Sequence, residues 1–311
     1  MDESPEVVPP DDPNEEARFE AHMTESTRSL QRVLQLRGFL ASALEPKISD
    51  VEIIVCFADL RGFSTYCQML QREMQDRKIQ NFLRVYPAVF VEGLFRWLAA
   101  VTDERSPYFV NSYTALADHV VPSLYKMLGD GMMLVWEVPS SLNLSQQSDL
   151  SDTIINIVDR FRGRFLFHFR NLDPVERDSF SEEVLKLDLG FGIAKGHAWK
   201  LDYGASIDYA GSVINLAARL QTHARPGGRV VQLEVAPWYL TRNASHGDGR
   251  LVEIRELRGL TGKTMAWIDD TVAINQPEFV PTAPQLNSAD VERLATEPPA
   301  TPPATPKLPS P

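Results

Sequence analysis

Cysteine and positive charge are scarce in this sequence. Only two cysteines, Cys56 and Cys67, occur among 311 residues, and they have no partners at the spacing of a zinc site. This favours a reducing compartment, and we expect a cytoplasmic protein. The 31 basic residues are outnumbered by 42 acidic ones, which gives a net charge of −11 at pH 7. That balance argues against a nucleic-acid partner, but not against a nucleotide held through metal ions.

Long hydrophobic runs are also missing. The most apolar stretch, residues 86–101, is interrupted by Glu92, Gly93 and Arg96 and is too short and too charged to span a bilayer. The N-terminus is acidic and contains proline, unlike a secretory signal. At 43% hydrophobic residues the chain can still build an ordinary core. We therefore expect a soluble globular protein without a membrane partner.

Changes in composition divide the chain into four segments. Residues 1–14 are predicted to be disordered and residues 15–45 to form an N-terminal helix, because apolar residues recur there at helical spacing. That helix either packs on the following domain, which we favour, or mediates dimerisation. Residues 276–311 hold ten of the 22 prolines and are predicted to form a disordered tail. One folded domain is expected over residues 49–270.

Apolar runs and turn residues predict an α+β fold for that domain. Strands are expected at residues 51–57, 124–128, 132–136, 187–193, 228–233 and 265–268, the last closing the sheet. Helices are expected at residues 64–101, 151–169 and 212–222, the first of them broken near Pro87. Because strands and helices are mixed rather than strictly alternating, helices should pack against an antiparallel or mixed sheet.

Two segments place a carboxylate at the end of a strand. In residues 57–64 (FADLRGFS), Asp59 follows an apolar run and precedes a glycine turn that leads into a helix. Backbone amides and a helix N-terminus beside a carboxylate suit a metal ion and phosphates, although a turn residue or a helix cap explains Asp59 equally well. In residues 126–131 (KMLGDG), Asp130 lies in a predicted hairpin turn, which alone explains the glycines. If the two carboxylates lie close together, they can hold two divalent ions about 3.5–4 Å apart.

A third segment, residues 208–220 (DYAGSVINLAARL), predicts a helix with a polar pair. Asn215 and Arg219 are four residues apart and therefore share one face. Ile214, Leu216, Ala217 and Leu220 are expected to form the core face of this helix. A solvated charge is the usual alternative for a helical arginine such as Arg219.

The three motifs, in this order and with their internal spacing, resemble the class III adenylate/guanylate cyclase domain. The resemblance covers about residues 51–268. It implies a palm-like, ferredoxin-like α+β sandwich with a mixed, mostly antiparallel sheet and helices packed on it. It also implies a phosphorus–oxygen lyase that converts a ribonucleoside triphosphate into a 3′,5′-cyclic monophosphate and pyrophosphate. A single cyclase domain implies a head-to-tail homodimer with two shared active sites.

The resemblance also assigns roles to residues of this chain. Asp59 and Asp130 are expected to bind two Mn²⁺ or Mg²⁺ ions. Asn215 is expected to orient the ribose, and Arg219 to stabilise the charge on the α-phosphate. The base-reading positions are Lys126 and Asp208. Lys263 is expected to bind phosphate, although its loop is about one residue shorter than in the family pattern. Leu60, Gly62 and Phe63, in the segment after Asp59, are also expected to bind phosphate.

This sequence departs from the family pattern between Asp59 and Asp130, where it is longer. We expect the surplus, about residues 102–121, to be an insertion near the hairpin. The pair Lys126 and Asp208 matches adenine, but it can also satisfy uracil or cytosine, which offer one acceptor and one donor each. Guanine is disfavoured. Exclusion of purines would then depend on side chains that fill the base pocket, for which the candidates are Phe57, Met127 and Tyr209.

The architecture, a catalytic domain with only a short helix before it, resembles the bacterial pyrimidine cyclases of antiphage defence. This analogy ranks a uridylate cyclase that makes cyclic UMP first. An adenylate cyclase is the close alternative, and a catalytically dead nucleotide-binding or regulatory domain is the third. For a defence enzyme, the product would be read by a separate effector protein.

Overall fold

The computed structural model describes residues 46–281 apart from 103–115, 205, 256 and 258–262. The predicted disordered start, the predicted N-terminal helix, most of the predicted insertion and the tail beyond residue 281 lie outside these residues. Residues 46–48, 201–204, 206 and 207 belong to a small separate unit, in which the Tyr203 N–H donates to the Ser206 carbonyl at 3.0 Å. Every site residue discussed below lies in the larger unit.

In the part of the chain that the structure describes, nine strands form one sheet, and six α-helices accompany them. The strands are β1 Lys47–Arg61, β2 Leu124–Leu128, β3 Gly131–Glu137, β4 Asp188–Asp202, β5 Ile207–Ala210, β6 Gly228–Gln232, β7 Arg250–Ile254, β8 Thr264–Ile268 and β9 Phe279–Pro281. The helices are α1 Phe63–Arg72, α2 Asp76–Thr102, α3 Leu144–Arg170, α4 Pro174–Asp178, α5 Ser212–His223 and α6 Pro237–His246. Among the described residues, no helix is long and apolar enough to cross a bilayer.

The order of the strands in the sheet is β2-β3-β1-β4-β6-β8-β7-β9, and β5 pairs with β4. Strands β4 and β6 are parallel, whereas β2 and β3, β3 and β1, β6 and β8, β8 and β7, and β7 and β9 are antiparallel. The predicted α+β class, with helices on a mixed and mostly antiparallel sheet, is confirmed.

Alternation along β4 gives the sheet two different faces. Leu189, Phe191 and Ile193 belong to the main hydrophobic core. On the helix side, the same core is built from aromatic residues of α2 and α3, namely Phe82, Tyr86, Phe161, Phe165 and Phe169. Side chains on the other face of β4 are small or absent, so that helix α5 packs directly on the strand. They belong to Gly190, Gly192, Ala194, Gly196 and Ala198.

Replacement of Gly192 by alanine should destabilise the domain by about 3 kcal/mol, the upper range for overpacking a core. An added Cβ would lie 2.1 Å from the Gln221 nitrogen and 2.2 Å from the Ala217 oxygen, so helix α5 would have to move. Gly163→Ala is the matched control, since its Cβ would meet nothing within 4 Å on helix α3. That variant should gain roughly 0.5–1 kcal/mol. Urea denaturation measures both, and equal losses would contradict the close contact between α5 and β4.

The predicted break of the first helical region near Pro87 is wrong. Pro87 lies inside helix α2, and the chain instead breaks between Arg72 and Asp76. Met74 adopts a left-handed φ of 56°, and the Gln75 N–H donates back to the Leu70 carbonyl at 2.8 Å. This turn closes the first helix before the second begins.

The prediction that residues 265–268 close the sheet is also wrong. Strands β7 and β9 lie beyond β8, and β9 falls within residues 276–311, which were predicted to be tail. Its residues Phe279 and Val280 pair with Ile254 and Glu253 of β7. A three-residue edge strand that contains a proline gives almost no sequence signal. The folded unit therefore extends past residue 270, to at least residue 281.

Candidate functional site

Asp59 and Asp130 are brought together by the register of β1 on β3. Asp59 lies directly opposite Gly131, and Asp130 is the preceding residue in the hairpin turn. An added Cβ on Gly131 would lie 2.8 Å from the Ala58 carbonyl oxygen and 3.7 Å from Oδ1 of Asp59. One carboxylate oxygen of Asp59 therefore faces the turn that carries Asp130, and only a glycine leaves room for this approach.

The electrostatics of this carboxylate pair favour a cation. Burial raises the pKa of Asp59, Arg61 opposes that rise, and the nearby Asp130 carboxylate adds to it. A divalent ion between the two carboxylates would remove the repulsion, and oxygen ligands are those that Mg²⁺ and Mn²⁺ prefer. No group of three or more His, Cys, Asp or Glu side chains with metal-binding geometry occurs in the part of the chain that the structure describes. Two carboxylates are the usual protein contribution to a Mg²⁺ site, in which water and substrate phosphates supply the other ligands.

Arg61 is a part of this site that the sequence reasoning missed. Its Nη1 donates to Oδ2 of Asp59 at 2.9 Å, and its Nε donates to the Ala224 carbonyl at 3.0 Å. Its Nη2 donates to the Gln221 carbonyl. The guanidinium therefore joins the Asp59 carboxylate to the C-terminal end of α5. A sequence signal existed, because Arg61 is two residues after Asp59 on one strand and so lies on the same face.

Lys126 and Asp208, 82 positions apart in the chain, form an ion pair of 3.1 Å. Their side chains are 47% and 40% exposed, which leaves both accessible to a ligand. In the sheet, Lys126 lies opposite Met133, and Met133 lies opposite Phe57. Side chains share a face of the sheet when their residues lie directly opposite each other on neighbouring strands or two positions apart on one strand. Lys126 and Phe57 therefore lie on the same face as Asp59.

Of the candidates for filling a pocket at this pair, the expectation is wrong for Met127. The Tyr209 hydroxyl donates to Glu137, which lies opposite Ile53 and therefore on the same face of the sheet as Phe57. Met127 directly follows Lys126 and lies opposite Met132, a residue of the main core. Phe57 and the Tyr209 hydroxyl are therefore on the Lys126 side of the sheet, and Met127 is not.

Asn215 and Arg219 are both exposed on helix α5, one turn apart. Among the described residues, neither side chain forms a hydrogen bond or an ion pair, with Asp59 and Asp130 or with any other residue. The buried side of the helix consists of Val213, Ala217 and Leu220. The expected core face was therefore wrong at Ile214 and Leu216, which are only half-buried.

Lys263 lies apart from the carboxylates. Its Nζ is 3.2 Å from Oε2 of Glu253, and strand β8, which begins at the next residue, lies three strands from β1, or about 14 Å. The preceding loop, residues 258–262, lies outside the described part of the chain.

The segment after Asp59 can meet a ligand mainly through its backbone. The side chain of Leu60 is buried in the core, and the Phe63 ring packs against Phe82 with centroids 5.6 Å apart. Gly62 precedes helix α1 with a φ of 87° and provides no side-chain cap. The amide groups at the start of α1 thus lack a side-chain cap.

No protein-family model matches this chain, and no curated protein matches it. Solved structures with a similar chain path include the adenylyl cyclase CyaB from P. aeruginosa, with 14% identity, 75% of this chain and 98% of that chain covered, and a TM-score of 0.44. The guanylyl cyclase Cya2 has 16% identity, coverage of 74% and 98%, and a TM-score of 0.42. An adenylate/guanylate cyclase/hydrolase from Silicibacter pomeroyi has 16% identity, coverage of 72% and 98%, and a TM-score of 0.42. At this distance the likenesses do not assign the chain to a family.

Proposed function

We propose that this chain is a class III nucleotidyl cyclase, which converts a ribonucleoside triphosphate into a 3′,5′-cyclic monophosphate and pyrophosphate. The observation that carries the proposal is the pair of carboxylates, Asp59 and Asp130, at the β1–β3 register. The Lys126–Asp208 ion pair on the same face of the sheet supports it, since it offers one donor and one acceptor to a base.

The carboxylates of Asp59 and Asp130 would hold two Mn²⁺ or Mg²⁺ ions. Bound divalent ions supply positive charge that lowers the pKa of the ribose 3′-hydroxyl and neutralises the triphosphate. Arg61 keeps Oδ2 of Asp59 engaged, which leaves Oδ1 facing the hairpin turn. The backbone amides at Leu60, Gly62 and Phe63 would bind phosphate oxygens at the start of α1.

In the reaction, the ribose 3′-oxygen forms a bond to the α-phosphorus, the bond from that phosphorus to pyrophosphate breaks, and the hydroxyl proton passes to solvent. Asn215 would hold the ribose, and Arg219 would stabilise the charge that develops on the α-phosphate. Lys263 would leave its ion pair with Glu253 and bind the phosphates of the leaving pyrophosphate. Within the described part of one chain, these three residues form no hydrogen bond or ion pair with the two carboxylates. We therefore assign them to the second subunit of a head-to-tail homodimer with two shared sites.

A pyrimidine base, and uracil in particular, is our proposed substrate base. Lys126 would donate to a carbonyl oxygen of uracil, and Asp208 would accept from its N3–H. The same pair also satisfies adenine, so adenylate cyclase activity is the alternative. Incubation of the purified protein with Mn²⁺ and each of the four ribonucleoside triphosphates, followed by mass spectrometry, tests the choice. Cyclic UMP as the main product supports it, whereas cyclic AMP as the main product overturns it.

Phe57→Ala should change base selection, whereas Met127→Ala should not. Phe57 lies in the same row and on the same face as Lys126, so its loss would open space beside the base, but Met127 lies on the opposite face. We expect the ratio of kcat/KM for ATP to kcat/KM for UTP to rise about tenfold in Phe57→Ala, the scale typical of pocket size effects. For Met127→Ala we expect a change below about twofold. A shift of the same size in both variants would contradict this placement of the base.

The biological role we propose is a second-messenger synthase of bacterial antiphage defence, acting in the cytoplasm through a separate effector protein. The alternative of a catalytically dead domain predicts nucleotide binding without turnover. Equilibrium dialysis with labelled UTP beside the product assay separates the two, because a dead domain would retain the nucleotide unchanged.

A further inference from the structure

The C-terminal end of helix α5 is bound by an arginine from strand β1. The last carbonyl groups of a helix have no partner within the helix and need donors from elsewhere. Arg61 of β1 donates to the Ala224 carbonyl and to the Gln221 carbonyl, which also accepts from the Ala224 N–H at 3.1 Å. Gln276 donates to a third, that of His223, at 2.8 Å. A cation at this end of a helix is also favoured by the helix dipole.

A glycine in strand β4 leaves room for the Arg61 side chain to reach helix α5. The side chain crosses the neighbouring strand β4 at Gly190, where an added Cβ would lie 2.4 Å from Nε of Arg61 and 2.6 Å from the Ala224 oxygen. The Arg61 side chain is only 15% exposed. Strand β1, strand β4 and helix α5 therefore meet at one guanidinium group.

The same guanidinium holds the carboxylate of Asp59 at 2.9 Å. Its three nitrogen atoms thus donate to three acceptors, on strand β1 and at the end of helix α5. The planar guanidinium holds these donors in a fixed geometry, which the ammonium group of a flexible lysine side chain does not reproduce. The guanidinium group thus ties the position of the Asp59 carboxylate to the position of the end of α5.

We propose that Arg61 is a positioning residue that couples the two shared active sites of the dimer. The inference rests on the proposed function, in which Asp59 of one chain serves one site while Asn215 and Arg219 on α5 of the same chain serve the other. The bonds from Arg61 to Asp59, Gln221 and Ala224 are then the direct link between the two sites through one subunit.

Hybrid dimers test this coupling. One subunit carries Asp130→Ala and the other Arg219→Ala, with different affinity tags, so that one site remains and the Asp59–Arg61 bond is kept in both subunits. That site uses the carboxylates of the Arg219→Ala subunit and the helix α5 of the Asp130→Ala subunit. Arg61→Lys is then placed in either subunit alone.

We expect both placements to impair the remaining site, but in different parameters. Beside the working carboxylates, Arg61→Lys should raise the Mn²⁺ concentration for half-maximal rate about fivefold. In the subunit that provides only α5, it should lower kcat about fivefold and leave the Mn²⁺ dependence unchanged. An effect from the first placement alone would overturn the coupling, since Arg61 would then act only on its own Asp59.

Arg162→Lys in the same hybrids is the control for general loss of packing. Arg162 is as buried as Arg61 and forms a two-bond pair with Asp188, at 2.9 and 2.7 Å, but binds no carbonyl of α5. It should change thermal stability without either kinetic effect, and kinetic effects like those of Arg61→Lys would overturn the proposal. Arg61→Gln provides a second test if the lysine variant unfolds, because it can serve Asp59 but not both carbonyl groups.

Failure of the coupling and failure of the proposed function give different results. Without any cyclic product from the wild-type protein, the proposed function falls. Mn²⁺ binding to the nucleotide-free protein, measured by electron paramagnetic resonance, does not depend on turnover. Arg61→Lys should weaken it about fivefold, and unchanged Mn²⁺ affinity would overturn the role of Arg61 at Asp59.

Discussion

Cyclic nucleotide formation should fall by at least about a thousandfold in Asp59→Asn, which corresponds to about 4 kcal/mol of lost transition-state stabilisation. The amide keeps the shape of the side chain and removes the charge that would hold a divalent ion. Asp130→Asn should cause a loss of the same order. Rates of product formation at saturating Mn²⁺, measured by chromatography, give both values.

Asp50→Asn is the matched control for Asp59→Asn. Asp50 lies on the same strand, β1, but its carboxylate is 55% exposed and faces His197 at 3.2 Å. A surface pair of this kind contributes less than about 1 kcal/mol to stability. Asp50→Asn should therefore retain nearly full activity. Full activity in Asp59→Asn, or an equal loss in Asp50→Asn, would contradict a metal site at Asp59.

Activity should return when two inactive variants, Asp59→Ala and Arg219→Ala, are mixed as refolded or co-expressed subunits. If the sites are shared, each hybrid dimer contains one intact site, formed by the carboxylates of one chain and helix α5 of the other. Random pairing makes half of all dimers hybrids, so about a quarter of the wild-type activity is expected. This expectation is based on the exposure of Asn215 and Arg219, which form no hydrogen bond or ion pair with the carboxylates among the described residues.

The control mixture combines Asp59→Ala with Asp130→Ala. Both changes damage the same half of the site, so every hybrid has two defective sites and no activity should return. Recovery in this control, or its absence in the first mixture when dimers are confirmed by light scattering, would contradict shared sites.

The sequence predicted the parts of the site that depend on local patterns. A β-branched run followed by Asp59, and a Gly-Asp-Gly turn at Asp130, indicated two strand ends with carboxylates. Their proximity could not be derived, because it depends on the register of β1 on β3, which is set by the packing of both faces of the sheet. The contact between Lys126 and Asp208 could not be predicted from their separation in the sequence either. Only the family resemblance suggested that both residues belong to one pocket.

Two other features could have been predicted from the elementary geometry of strands. Strand alternation alone places Met127 on the opposite side from Lys126, so it does not fit the proposed base pocket. The small residues at every second position of β4, from Gly190 to Ala198, predict close packing of another element on that face. Strand β9 is different, since three residues at a sheet edge carry too little pattern to be distinguished from the proline-rich segment that follows.

The central claim, that this chain closes a nucleoside triphosphate into a ring, is tested most directly by the products of the wild-type protein with UTP and Mn²⁺. Mass spectrometry identifies the nucleotide, and an enzymatic assay measures pyrophosphate in the same sample. We expect 3′,5′-cyclic UMP and pyrophosphate in equal amounts, with neither product from Asp59→Asn. Absence of a cyclic nucleotide with all four triphosphates, or release of inorganic phosphate in place of pyrophosphate, would contradict the claim.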